Sequence, residues 1–141
     1  MLILKVKRLS PAAKIPAYAH PGDAGLDLCA AEEVTVLPGE RVRISTGIAL
    51  EIPEGYVGLC WDKSGLSMNH GLKTMAGVID AGYRGEVVVM VANLSPEPHT
   101  FSVGDKVVQI LIQEVERVQV VETDELTHTA RADAGFGSTG R

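Results

Sequence analysis

Residues 76–86 read Ala76-Gly77-Val78-Ile79-Asp80-Ala81-Gly82-Tyr83-Arg84-Gly85-Glu86. Gly77, Val78 and Ile79 run in extended. Asp80-Ala81-Gly82 has the composition of a tight turn, and Tyr83-Arg84-Gly85 leads into the apolar run Val87 to Val91. Asp and Gly between two apolar runs predict the tip of a β-hairpin. An Asp at such a place can be a turn former and nothing more. Two features raise its interest. Tyr83 stands three residues on, so one loop can present a carboxylate and a ring together. Gly77, Gly82 and Gly85 leave backbone bare on both sides, as a close-fitting ligand requires.

Outward from this stretch, most of the chain reads as strand and turn. Leu2, Leu4 and Val6 alternate with Ile3, Lys5 and Lys7, which predicts a first strand. Pro11, Pro16, Pro21 and Gly22 mark a loop. Residues 24–30 and 34–37 are short strands, the second closed by Pro38-Gly39. The cleanest alternation runs from Val42 through Ile44, Thr46, Ile48 and Leu50 to Ile52, a long strand with one buried face. Pro53-Glu54-Gly55 turns the chain, and Tyr56 to Trp61 is expected to return beside it. Lys63 to Gly71 loses the period of two, and Ser64 is expected to cap a short helix that stops at Gly71. Val87 to Val91 and Val107 to Ile112 are continuous apolar runs, expected to be covered on both faces. Val115 to Val121 reads as a last strand, or as two with a bend. From Thr127 the hydrophobic period is lost, and the glycine-rich end carries a single Phe. The expectation is an all-β sandwich or barrel-like domain over 1–126 with one short helix, and a flexible C-terminal tail over 127–141.

Composition narrows the function classes. The 141 residues are 45% hydrophobic, enough for one packed domain, but only 4% aromatic, so aliphatic side chains must fill the core. A net charge of −5 lacks the basic field of a nucleic-acid binder. No apolar run reaches membrane-spanning length, and the start is too short in apolar residues for a signal peptide. Cys29 and Cys60 have no CxxC spacing and are expected to be two free buried thiols in a reducing cytoplasm. His20, His70, His99 and His128 make no metal-ligand pattern.

Four further places carry candidate chemistry. Asp27, in Asp23-Ala24-Gly25-Leu26-Asp27-Leu28, is an acid among apolar neighbours and needs a cation or a hydrogen bond. Lys63-Ser64-Gly65 offers a cation, a hydroxyl and a bare amide at a helix start, which suits an anion, although a capped helix with a solvated lysine reads the same way. Gln109 lies inside an apolar strand and must find partners, either as a core amide or at a ligand. The end, Arg131 followed by Gly135-Phe136-Gly137-Ser138-Thr139-Gly140, combines a stacking ring with amides and hydroxyls, yet a generic C-terminus of this kind is simply a disordered tail.

Together these stretches resemble, in order, the five motifs of the homotrimeric deoxyuridine triphosphatases (dUTPases), which split dUTP into dUMP and pyrophosphate. The resemblance runs from Asp23 to Gly140 and is most specific in Gly77 to Gly85 and Gly135 to Gly140. It implies a jelly-roll-like (β-clip) subunit in a homotrimer whose sites draw on more than one chain. Asp80 would be the general base for the attacking water, and Tyr83 would lie against the deoxyribose. Uracil would pair with main chain around Gly77, Val78 and Ile79, near Thr74. Lys63, Ser64, Gly65 and Gln109 would hold phosphate, and Asp27 would meet Mg²⁺ through water. The tail would close over the substrate, with Phe136 on uracil and Arg131, Gly137, Ser138 and Thr139 at the far end of the triphosphate. Lys63 stands where Arg is usual, Thr74 where Asn is frequent, and Ala132 and Ala134 where the tail usually has Gly. The alternatives are a dCTP deaminase of the same superfamily, alone or bifunctional, and a non-catalytic dUTP-binding module.

Overall fold

The computed structural model describes residues 1–136, so Gly137, Ser138 and Thr139 lie outside the described residues. Ten strands and one helix follow in the order β1 (Lys5–Arg8), β2 (Leu26–Cys29), β3 (Val34–Val36), β4 (Arg41–Glu51), β5 (Tyr56–Asp62), α1 (Ser64–His70), β6 (Leu72–Met75), β7 (Val78–Asp80), β8 (Glu86–Asn93), β9 (His99–Phe101) and β10 (Lys106–Glu114). One antiparallel sheet has the order β1-β4-β8-β6, a second has β2-β10-β5-β7, and β3 pairs with β9. The two larger sheets enclose a single core. Ile44, Ile48, Leu50, Val87, Val89 and Val91 supply one side, and Leu28, Val108 and Ile110 the other, with Phe101 between. No helix among the described residues is long and apolar enough to cross a membrane.

The expected alternation of β4 holds from Arg41 to Thr46, but Thr46 to Leu50 are all buried, because a bulge interrupts the strand there. Its register to β8 slips between Ser45 and Ala49. Gly47 sits there at φ 66°, and a Cβ would come within 2.9 Å of the Ala13 side chain. The Glu86 carboxylate seals the bulge, accepting from Gly47 N at 2.8 Å and from the Ser45 hydroxyl.

Several local expectations change. The first strand is β1, displaced from residues 2–7 to Lys5–Arg8. The stretch 76–86 is not a hairpin: β7 pairs with β5, whereas β8 pairs with β4 and β6, so the turn carries the chain from one sheet to the other. Likewise β5 does not return beside β4; it crosses to pair with β10 and β7. Ser64 is not the cap. Lys63 occupies that position in extended conformation without a side-chain capping bond, while Gly71 does end the helix in the left-handed region. On β8, Val87, Val89, Val91 and Asn93 are buried, but Val88, Met90 and Ala92 are only half-buried. Residues 115–121 form no strand and lie exposed: after Val115 N donates to the Gly55 carbonyl at 2.9 Å, no strand among the described residues pairs with them. Cys29 is buried as expected, and Cys60 is half-buried. Burial still pushes the Cys60 thiol up to about 11.

Candidate active site

The turn between the sheets builds the first half of the site. Tyr83 N donates to the Asp80 carbonyl at 3.0 Å, closing the turn. The Tyr83 hydroxyl donates to the Glu86 carbonyl at 2.9 Å, and a Cβ on Gly85 would lie 2.4 Å from that hydroxyl. Gly85 thus lets the phenol ring fold back over the loop. Gly77 has a comparable reason: its carbonyl accepts from Cys60 N at 2.7 Å, and a Cβ would meet the Cys60 carbonyl oxygen at 2.5 Å. β7 lies against β5 with no room for a side chain. The result is an open cleft of about 200 Å³ lined by Arg43, Val78, Ile79, Asp80, Tyr83, Glu86 and Val88. Asp80 is exposed, and its carboxylate has no hydrogen-bond or ion-pair partner among the described residues.

A second group lies on the other part of the same sheet. Gln109 on β10 stands opposite both Asp27 on β2 and Trp61 on β5. Asp27 is 8% exposed and lies between two ammonium groups, Lys63 Nζ 2.5 Å from Oδ1 and Lys106 Nζ 2.6 Å from Oδ2. Burial pushes its carboxyl up, but Lys106 and Lys63 outweigh that and hold it below its usual value. Both carboxylate oxygens of Asp27 are thus held by a lysine, Lys63 on Oδ1 and Lys106 on Oδ2. Gln109 Nε2 donates to the Asp62 carbonyl at 2.9 Å, and its Oε1 lies over Gly25, where a Cβ would come within 2.5 Å. Lys63 is committed to Asp27, while Ser64 and Gly65 open the helix beside it.

The residues expected at the site therefore form two groups. Val78, Ile79, Asp80 and Tyr83 share the cleft, with Gly77 just before it. Asp27, Lys63 and Gln109 form the second group, with Ser64 and Gly65 next to them. By register, Asp80 is opposite Val57 and Gln109 is opposite Trp61, four residues further along β5. Strand spacings put the two backbones roughly 16 Å apart. Thr74 is on β6, its N–H held by the Asp62 carboxylate. Arg131 folds on itself, its Nε donating to the Ala134 carbonyl at 2.8 Å, and Phe136 is fully exposed. Ala132 has φ 46°, the left-handed region that glycine adopts at least cost.

Three residues here escape a reading of the sequence. Arg43 reaches the cleft from β4, Lys106 pairs with Asp27 from β10, and Asp62 ties β5 to β6. Lys106 had a faint signal, a cation directly after the Gly104-Asp105 turn. The other two depend on neighbours from the opposite sheet.

A family model described as dUTPase matches residues 12–140. The chain is 48% identical to the deoxyuridine 5'-triphosphate nucleotidohydrolase of Thermobifida fusca, over 97% of this chain and 78% of the relative. It is also 48% identical to that of Leifsonia xyli subsp. xyli, over 92% of this chain and 87% of the relative. Among solved structures, a mutant Staphylococcus bacteriophage 80alpha dUTPase with dUpNHpp has a TM-score of 0.89 at 30% identity, covering 99% of both chains. A mutant dUTPase from phage phi11 of S. aureus, described with a structural Mg(II) ion, has a TM-score of 0.81 at 31% identity, covering 87% of this chain and 97% of the other.

Proposed function

Because the chain belongs to the dUTPase family, we propose that it hydrolyses dUTP to dUMP and pyrophosphate, limiting dUTP and supplying dUMP. The observation that carries this reading is the Asp80–Tyr83 cleft: an unpartnered carboxylate, a phenol ring and bare peptide edges on one turn. Asp80 acts as general base, orienting a water in line with the leaving pyrophosphate at the α-phosphorus and taking its proton. The Tyr83 ring, fixed by Glu86 and Gly85, lies where a ribose 2′-hydroxyl would collide. Main chain around Gly77, Val78 and Ile79, with Thr74 nearby, pairs with uracil. Lys63, Ser64, Gly65 and Gln109 hold phosphate oxygens, with Lys63 exchanging Asp27 for the substrate.

The chain functions as a homotrimer in this reading. A base and a phosphate ligand acting on one phosphorus must be within a few ångströms, but Asp80 and Gln109 of one chain are roughly 16 Å apart. The cleft of about 200 Å³ is also below the usual size of a small-molecule site. Copies that set the Gln109 group of one chain against the Asp80 cleft of another resolve both points. Residues 127–141 then act as an arm, Phe136 stacking on the base and Arg131, Gly137, Ser138 and Thr139 meeting the terminal phosphate. The enzyme works in the cytoplasm.

Mg²⁺ fits this site as an ion brought by the triphosphate. No group of three or more His, Cys, Asp or Glu that could cage a metal exists among the described residues. Each Asp27 oxygen has a lone pair beyond its lysine contact, which suits a metal-bound water, so Asp27 would hold the ion indirectly. When bound, the ion supplies neutralisation of phosphate charge.

The test is pyrophosphate release with Mg²⁺ from dUTP, UTP, dTTP and dCTP in parallel, with ammonia followed in the dCTP sample. Release from dUTP alone is expected. Ammonia from dCTP would make the chain a deaminase, and no product from any of the four would make it a binding module.

A further inference from the structure

Asp62 ends β5 directly before Lys63 and Ser64, and it makes three connections. By register it stands opposite fully buried Val108, which turns its side chain inward, toward the other sheet. There Oδ1 accepts from Thr74 N at 2.5 Å and Oδ2 pairs with Lys73 Nζ at 2.6 Å. Its own carbonyl accepts from Gln109 Nε2 at 2.9 Å. β6 is an edge strand, so the carboxylate satisfies an edge N–H that β8 does not take. One residue thus clasps the two sheets, fixes the entry to the Lys63-Ser64-Gly65 turn, and sets which way the Gln109 amide faces.

We infer that Asp62 is a positioning residue for the phosphate half of the site: its clasp on Thr74 and Lys73 sets the places of Lys63, Ser64 and the Gln109 amide. Asp62 touches no substrate itself. The inference rests on the reading of Lys63 and Gln109 as phosphate ligands. None of Asp62, Lys73 and Thr74 lines the Asp80–Tyr83 cleft, which β7 and its turn build beyond the end of β6.

Binding of two partial ligands separates the halves. Inorganic pyrophosphate with Mg²⁺, followed by calorimetry, reports the phosphate half; deoxyuridine, followed by NMR titration, reports the base and sugar half. Asp62→Ala should weaken pyrophosphate about tenfold, the scale of a lost charged hydrogen bond, and leave deoxyuridine within twofold. Asp62→Asn keeps an acceptor for Thr74 N–H but loses the charge facing Lys73, so its loss should be about threefold, a partial rescue. If Asp62→Ala does not fold, the Asn variant carries the test by the same selective loss. Equal weakening of both ligands would make the clasp merely structural, and unchanged pyrophosphate affinity would remove it from the site; either result overturns the inference. Lys63→Met serves as control. If it too leaves pyrophosphate binding unchanged, the phosphate reading has failed; if only Lys63→Met weakens binding, the clasp alone is wrong.

Discussion

The Asp80 cleft and the Asp27–Lys63–Gln109 cluster lie on one sheet but are built in opposite ways. Apart from Arg43, the cleft is lined from within the one segment 78–88, and its carboxylate is exposed and unpartnered among the described residues. The cluster gathers β2, β5, β10 and the start of α1, and every charged group in it is already paired. A group that must accept a proton gains from standing free. Groups that must hold a highly charged ligand gain from being fixed beforehand, with counter-ions that can be exchanged rather than left bare. In the proposed reading the first region serves the chemistry and the second the grip.

This contrast can be broken at each side. The largest effect is expected from Asp80→Asn, which should lower kcat by about 10²–10⁴-fold while dUTP still binds; single-turnover rates beside a dUTP titration check it, and near-normal turnover would remove Asp80 as the base. Next, a chain ending before Arg131 should fold with an unchanged Tm but lose about 10²-fold in kcat/KM, because closure and terminal-phosphate contacts vanish. Unaltered kinetics would leave the tail without a catalytic part.

Acid should act on the paired region. Burial raises the Asp62 carboxyl, but Lys73 and Thr74 outweigh this and hold it below the usual aspartate value. A depressed folded value means that its contribution is complete above the unfolded value of about 3.9 and is lost as pH falls through the folded one. Urea midpoints from pH 6 down to pH 2.5 should fall more steeply for the wild type than for Asp62→Asn. Parallel curves would show that the carboxylate adds no stability. The smallest effect is optical. Trp61, the single tryptophan, is 53% exposed and opposite Gln109. Its emission should shift with Mg²⁺-pyrophosphate and stay still with deoxyuridine, and the reverse pattern would exchange the roles of the two regions.

What the sequence disclosed follows the same division. The turn at Pro38-Gly39, the helix stop at Gly71 and the alternation from Arg41 to Thr46 are local signals, and the structure keeps them; beyond Thr46 the bulge at Gly47 ends the alternation. The residues of the cleft were legible because they are adjacent in the chain. Pairing was not. A turn composition fixes a change of direction but not the sheet that the next strand joins, and both 76–86 and 53–55 lead into the other sheet. Residues 115–121 are rich in Val like a strand, yet edge pairing needs a partner, and no strand among the described residues supplies one. Asp62, Lys106 and Arg43 stayed hidden because each acts on a residue at least eleven positions away.

The absence of room at Gly77 bears on how such a chain can change over time. If peptide groups beside Gly77 read the base, specificity has no side chain through which a point substitution can retune it. Any larger residue at 77 must first push β7 away from Cys60, against a contact of 2.5 Å. Exchange of one pyrimidine for another would then require an insertion or deletion that shifts the β5–β7 register. Mutational drift can erode the rate, the grip on phosphate or the tail, while the choice of base stays written in the backbone.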